Sequence, residues 1–357
     1  VGGLGVGAAS VIAPAYIAEV SPASVRGRLG SLQQLAIVVG IFSSLLADAM
    51  FAGLAGSAAN RLWFGMEAWR WMFIAEAVPA LVYGLFAFRL PESPRFLVAR
   101  GDYDKASQVL YDFTGIINVN LKIEEIRSTI DSAKRESLAD LRGSALGLRP
   151  IVWVGILLSI FQQFVGINVI FYYSTTLWRT VGFQESDALT ITVITSVTNI
   201  VVTIVAILLV DKVGRRPMLL AGSFFMTVAL GLMALAFSFA NVSGGEVTLE
   251  APWAPIALVS ANLFVVAFGT TWGPLVWVLL GEMFPNRIRA GALAVAAAAQ
   301  WVANFVISTT FPVLSNIGLT FAYGFYALCA LLSLVFVLFK IPETKGRELE
   351  DMEELTA

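Results

Sequence analysis

Residues 281–300 read GEMFPNRIRAGALAVAAAAQ, and residues 18–34, AEVSPASVRGRLGSLQQ, follow the same plan. Glu282, Pro285, Arg289, Leu293 and Gln300 answer to Glu19, Pro22, Arg26, Leu29 and Gln34, with proline three and arginine seven residues after the glutamate in both copies. Each copy stands where one long apolar run gives way to the next. A second echo follows two runs later in each case: Pro91-Glu92-Ser93-Pro94-Arg95 is matched by Pro342-Glu343-Thr344-Lys345-Gly346-Arg347. The chain therefore contains a duplicated unit of three apolar runs, separated by three further runs that have no visible partner.

Those runs are long enough to cross a lipid bilayer, whose hydrocarbon core of about 30 Å takes roughly 20 residues of helix. Nine spans are predicted: Val1 to Val20, Leu29 to Ala52, Trp69 to Phe88, Ile151 to Ser174, Ala188 to Val210, Pro217 to Ala240, Pro255 to Gly281, Gly291 to Leu314 and Leu319 to Phe339. Since spans one to three mirror seven to nine, a complete duplication places three more helices, roughly 100 residues, ahead of Val1.

Composition agrees with a polytopic, all-α membrane protein. Of 357 residues 58% are apolar and 13% charged, against about 25% charged in soluble domains. With no histidine and the single cysteine Cys329, a disulfide framework is excluded, and neither a metal site nor imidazole or thiolate catalysis is expected. No enzyme activity, cofactor or nucleic-acid partner is indicated by a net charge of -2 without a basic stripe. Twenty of the 23 basic residues fall in alternate connections, which predicts a cytoplasmic C-terminus. The expected organisation is residues 1–90 as one helical group, 91–149 as a cytoplasmic linker with short helices, 150–341 as a six-helix bundle and 342–357 as a cytoplasmic tail. Ser93 before Pro94 reads as a helix N-cap, and Asp102 to Phe113 and Leu121 to Glu136 read as amphipathic helices.

The segments YIAEVSPASVRGRL, PESPRFL, QQFVGINVIFYYS, VDKVGRRP, WGPLVWVLLGEMFPNRIR and IPETKGREL together resemble the sugar porter branch of the major facilitator superfamily, in family order and spacing from Val1 to about Leu349. The resemblance implies a twelve-helix, two-bundle transporter of which helices four to twelve are present here. It further implies a monosaccharide or polyol substrate moved by alternating access across the cytoplasmic membrane, most simply as a bacterial sugar:proton symporter. A facilitative uniporter and a non-transporting sugar sensor are the alternatives. A monomer surrounded by lipid is expected.

Polar groups at mid-span are the first substrate candidates, because lipid offers them no partner. Gln34 and Gln300 lie roughly 12 and 16 Å from the arginine-bearing boundary at 1.5 Å per residue. Gln162, Gln163, Asn168 and Asn199 reach similar depth, and a carboxamide carries donor and acceptor together, as a hydroxyl does. In the family, the positions matching Gln34, Gln162, Gln163, Asn168, Asn199, Trp277, Gln300 and Trp301 line the monosaccharide site; Asn304 is a weaker candidate. The bland alternative is helix packing by isolated amides. In an unbroken helix Gln163 and Asn168 would point 140° apart, so their convergence requires the helix to loosen at Gly166. No basic residue sits at mid-span, which favours an uncharged ligand.

Glu19, Arg26, Glu282 and Arg289, joined by Arg215, Arg216 and Glu92, are expected to form an inner gate, as matching positions do in the family; topology signals and helix-end partners are the plain alternative. Glu76, the only acid well inside a span, matches the glutamate of proton-coupled members, whose aspartate and arginine partners would precede Val1. A structural buried acid is the rival reading. Asp48 is expected to be merely interfacial.

Overall fold

Proline and glycine stand where the apolar runs stop being straight helices. The computed structural model describes residues 2–21, 26–114, 118–132, 138–180, 182–243, 246–285 and 288–345. The first runs form α1 (Gly2–Val20), α2 (Arg26–Ala55), α3 (Ala68–Ala75) and α4 (Ala77–Ala87). The third span runs as expected from Ala68 to Ala87, with a single turn residue at Glu76 that keeps helical dihedrals, φ -64° and ψ -19°. Pro79 has no N–H for the carbonyl of Ala75, four residues back, and the turn falls there.

After α4 the polar stretch folds into α5 (Pro94–Arg100), α6 (Tyr103–Val109) and α7 (Val119–Ser132) around a small core of Leu97, Val98, Ala106, Val109, Leu110 and Ile123. Ser93 caps α5, its hydroxyl accepting the N–H of Phe96 at 3.1 Å.

The fourth run is divided into α8 (Pro150–Phe164), α9 (Ile167–Tyr172) and α10 (Ser174–Thr180). Gly166 between the first two adopts φ 85°, ψ 20°, the left-handed conformation that glycine takes without cost. Any side chain there would also strike the Tyr326 ring, 2.8 Å from an added Cβ. The loosening expected at Gly166 is thus present and required twice over.

Two long helices follow, α11 (Glu185–Val213) and α12 (Arg215–Ser238). A short antiparallel ribbon, β1 (Asn241–Ser243) with β2 (Glu246–Thr248), interrupts an otherwise helical chain. The seventh expected span is split at Thr271 into α13 (Trp253–Thr270) and α14 (Trp272–Glu282). Pro274, three residues on, leaves the carbonyl of Thr270 without its helical donor. Last come α15 (Arg289–Ile317) and α16 (Leu319–Lys340). Pro312 lies inside α15, and the carbonyl it frees, that of Ser308, accepts the Tyr173 hydroxyl at 2.9 Å.

Among the described residues, eight helical stretches are long and apolar enough to cross a membrane, and Gly2–Ile17 of α1 is a shorter apolar stretch. The main core lies among α8 to α16, where Phe264, Trp272, Tyr323 and Tyr326 are fully buried. Against this block, α2 packs on α11 and α14, and α1 on α14 and α15.

Thr271 is seated in a notch on α12. A Cβ at Gly222 would lie 1.9 Å from the Thr271 Oγ1. The next residue, Trp272, donates its indole N–H to the Ser223 hydroxyl at 2.9 Å, and Ser333 of α16 donates to the same hydroxyl at 3.1 Å. Replacing Gly222 with alanine should therefore destabilise the protein by about 1–3 kcal/mol through overpacking. Gly231→Ala, on the same helix with open space around it, is the control and should be neutral in thermal unfolding of the detergent-solubilised protein.

Candidate substrate site

The left-handed turn at Gly166 swings Asn168 back toward the end of α8. Asn168 Nδ2 donates to Gln163 Oε1 at 2.6 Å, and Gln163 Nε2 reaches Gln162 Oε1 at 3.4 Å. Gln162 in turn donates to two main-chain carbonyls at the start of α14, Trp272 at 3.0 Å and Gly273 at 3.1 Å. From the opposite group of helices Gln34 of α2 approaches the same point, its Nε2 3.3 Å from where a Cβ of Gly273 would stand. Gly273 has no side chain to hold Gln34 away. Four of the eight residues singled out in the sequence thus meet around the α13–α14 break, and Gln34, Gln162 and Gln163 are buried there.

The other four make no hydrogen bond to that cluster among the described residues. Asn199 is buried against Gly269, and Gln300 is buried on α15; the Asn199 Oδ1 and the Gln300 Oε1 have no partner among the described residues. Trp277 is buried, and it lines a crevice between α1, α2 and α14 with Pro14, Ile17 and Gly30. Trp301, 38% exposed, gives its indole N–H to the Ser10 hydroxyl of α1 at 3.2 Å. Asn304 accepts from Ser308 within its own helix.

Ser10 was not legible in advance, because a serine in an apolar run carries no signal of its own. The phenol oxygens of Tyr323 and Tyr326, buried without partners among the described residues, were missed for the same reason.

At the end of the bundle that carries the arginines, Arg215 is 4% exposed and saturated with acceptors. Its guanidinium grips Glu282 through two bonds, 2.8 and 3.2 Å, and reaches Asp211 at 3.1 Å and the Val210 carbonyl at 3.1 Å. Such a fork-on-fork pair is the strongest ionic contact available to a side chain. Glu282 also accepts the Thr344 hydroxyl at 2.8 Å. Glu343 accepts the main-chain N–H groups of Arg215 and Arg216 at 3.0 and 3.1 Å, so a carboxylate closes the positive end of α12.

The expected gate pairs spanned the two groups of helices, but Arg215, Asp211 and Glu282 all belong to α11, α12 and α14. A buried guanidinium draws in the nearest carboxylates, and the nearest are its own neighbours. Among the described residues the ionic link to the first group is Arg28 of α2, 3.8 Å from Asp211. Arg216 bonds the Leu338 carbonyl at the end of α16, and Arg289 bonds the Phe284 carbonyl. Glu92 is exposed and makes no ion pair with this cluster among the described residues. The side chains of Glu19 and Arg26 lie outside the described residues. Asp211 and Glu343 were missed, although Asp211 stands four residues before Arg215, the spacing of a helical ion pair.

Glu76, at the turn between α3 and α4, is exposed, and Asp48 of α2 is close enough to act on it electrostatically. Asp48 is half-buried and has an acidic neighbour, which the merely interfacial role expected for it did not include.

Comparison with known proteins closes the identification. The family model described as "Sugar (and other) transporter" matches residues 1–356. A glucose transport protein of Synechocystis sp. is 58% identical over 353 residues, covering 98% of this chain and 75% of that protein. The D-xylose-proton symporter of Escherichia coli is 40% identical over 364 residues, covering 99% and 70%. The structure of the proton:xylose symporter XylE bound to 6-bromo-6-deoxy-D-glucose superimposes with a TM-score of 0.84 at 37% identity, over 100% of this chain and 72% of that one. The chain belongs to the sugar porter family of the major facilitator superfamily, as a multi-pass sugar transporter of the cell membrane and not an enzyme.

Proposed function

We propose that this transporter moves a neutral monosaccharide, D-glucose in the first instance, together with a proton by alternating access. The observation that carries the sugar site is the meeting of Gln34 with Gln162, Gln163 and Asn168 at the α13–α14 break, where two groups of helices touch. Broken helices at mid-membrane expose backbone and amide groups to a central ligand, which is the expected construction of a carrier site. The unpaired oxygens of Asn199 and Gln300 are further acceptors for hydroxyls, and Trp277 and Trp301 offer apolar faces to the ring. The 58% identical glucose transport protein favours glucose over a pentose.

In this reading residues 91–149 form a cytoplasmic linker between two bundles, residues 1–90 and 150–341, the tail from residue 342 is cytoplasmic, and the protein works as a monomer. Glu76 carries the proton, with Asp48 of α2 as its acidic neighbour. The inner gate runs through Arg28 to the Asp211, Arg215 and Glu282 cluster, and with it Glu19, Arg26, Glu92, Arg216 and Arg289. The weak link at Arg28 opens while the buried cluster moves intact.

Vesicles containing the protein should accumulate radiolabelled D-glucose under an imposed proton gradient and lose that accumulation on addition of a protonophore. Gln163→Ala should lower uptake at least about tenfold while inserting normally, since an unpaired polar contact costs about 1–3 kcal/mol. Normal uptake by the inserted variant would remove Gln163 from the site. Glu76→Gln should retain sugar exchange yet fail to concentrate the sugar; concentration at the wild-type level would leave the facilitative reading in place.

The gate is tested by stability. Arg215→Met strands two carboxylates and should cost about 3–5 kcal/mol in thermal unfolding. Arg28→Ala, which removes a half-exposed pair, should cost less than about 1 kcal/mol.

A further inference from the structure

We infer that Tyr326 of α16 is a positioning residue for the sugar site: its ring, seated where a side chain at Gly166 would stand, sets the angle between α8 and α9 and so brings Asn168 to Gln163. The inference rests on the sugar-site reading above.

Gly166 is the pivot of the fourth span. The main-chain bonds that finish α8 stop at it, its own N–H meeting the Gln163 carbonyl at 2.9 Å. Those that begin α9 start from it, its carbonyl taking the N–H groups of Val169 and Ile170 at 3.1 and 3.3 Å. A glycine accepts a left-handed turn, but it accepts a wide range of neighbouring dihedrals as readily, so Gly166 permits the bend without fixing it. A group outside the pivot must fix it. The tolerance is narrow, because the 2.6 Å contact of Asn168 with Gln163 leaves the ordinary range of about 3.2 Å once ~0.6 Å is added.

The ring of Tyr326 is the group in place. Three of its carbons lie 2.8, 3.0 and 3.1 Å from where a Gly166 Cβ would stand, and the side chain is fully buried. Other rings hold it there. Tyr323 meets it edge-on at 5.9 Å between centroids and Phe325 lies at 5.8 Å. Phe325 in turn is 6.4 Å from Phe164, the last residue of α8, and Tyr323 is 5.2 Å from Phe237 of α12. This aromatic wall touches α8 on one side of the pivot and is backed by α12 on the other, and close-packed rings have little room to shift. The Tyr326 hydroxyl has no partner among the described residues, so the ring and not the phenol oxygen holds the turn. Helix α16 supplies none of the eight residues of the sugar site, and its hold on Asn168 passes through Gly166.

Binding of D-glucose, and of D-xylose beside it, would be measured by calorimetry on purified wild type, Tyr326→Leu, Asn168→Ala and the pair. Tyr326→Leu, which keeps an apolar side chain and loses the flat ring, should bind sugar about tenfold more weakly, as should Asn168→Ala. The pair should bind no more weakly than Asn168→Ala alone, since Tyr326 acts through that amide. Tyr326→Phe, which keeps the ring, should bind as wild type does. A merely structural Tyr326 would instead weaken binding by the same factor with or without the Asn168 amide.

That equal factor would overturn the inference, as would wild-type binding by Tyr326→Leu or a loss in Tyr326→Phe as large as in Tyr326→Leu. If Tyr326→Leu does not fold, Tyr326→Met is read against the same outcomes. Failure of both to fold beside a normal Tyr326→Phe would make the ring a requirement of the fold and end its special role at the site. Should neither sugar bind wild type, or Asn168→Ala bind as wild type does, the sugar-site reading falls and takes this inference with it; an uncoupled pair with both single losses intact sinks Tyr326 alone.

Discussion

A main-chain carbonyl deprived of its helical donor cannot be left bare inside a bilayer, where each unsatisfied group costs several kcal/mol and no water is at hand. Much of this molecule is organised around that constraint. Where Pro312 interrupts α15, the freed Ser308 carbonyl is met by the hydroxyl of Tyr173. Where the chain turns at Thr271, Gln162 brings a side-chain donor to the Trp272 and Gly273 carbonyls, and the buried Trp272, Ser223 and Ser333 set clasps the start of α14.

The arginine-bearing end applies the same logic to charge. Glu343, close after α16, accepts the N–H groups at the start of α12, while the Arg215 guanidinium is enclosed by Asp211 and Glu282. Each buried charge has an opposite charge and hydrogen bonds around it, the condition under which burial is tolerable. The cluster therefore ties α11, α12 and α14 together, and the ionic contact with the first group of helices is the thinner Arg28–Asp211 pair.

What the sequence made legible was governed by local chemistry. The apolar runs, the capping Ser93 and the need for a break at Gly166 each follow from the residues on the spot. The convergence of Gln162, Gln163 and Asn168 followed once that break was granted. Glu76 and Thr271 stand three residues before Pro79 and Pro274, which points to a disturbance there, although Pro312 inside the unbroken α15 shows that proline alone does not decide it. What could not be read was which surfaces meet. Nothing in the sequence near Trp301 indicates Ser10, and nothing near Arg28 indicates Asp211, because those pairings are decided by how whole helices lie against one another. Trp277 and Trp301 illustrate the limit, since the same indole serves equally to cover a ring or to join two helices.

The contrast between Arg215 and Arg28 has an environmental consequence. Arg215 is enclosed, so dissolved ions barely reach it; the Arg28 side chain is 43% exposed and 3.8 Å from its partner. At physiological ionic strength mobile ions screen charges over about 8 Å, and exposed pairs feel this far more than enclosed ones. Rising salt thus weakens the Arg28–Asp211 pair and leaves the Arg215 cluster untouched, so the contact between the two groups of helices at this end answers to the ionic content of the adjoining solution.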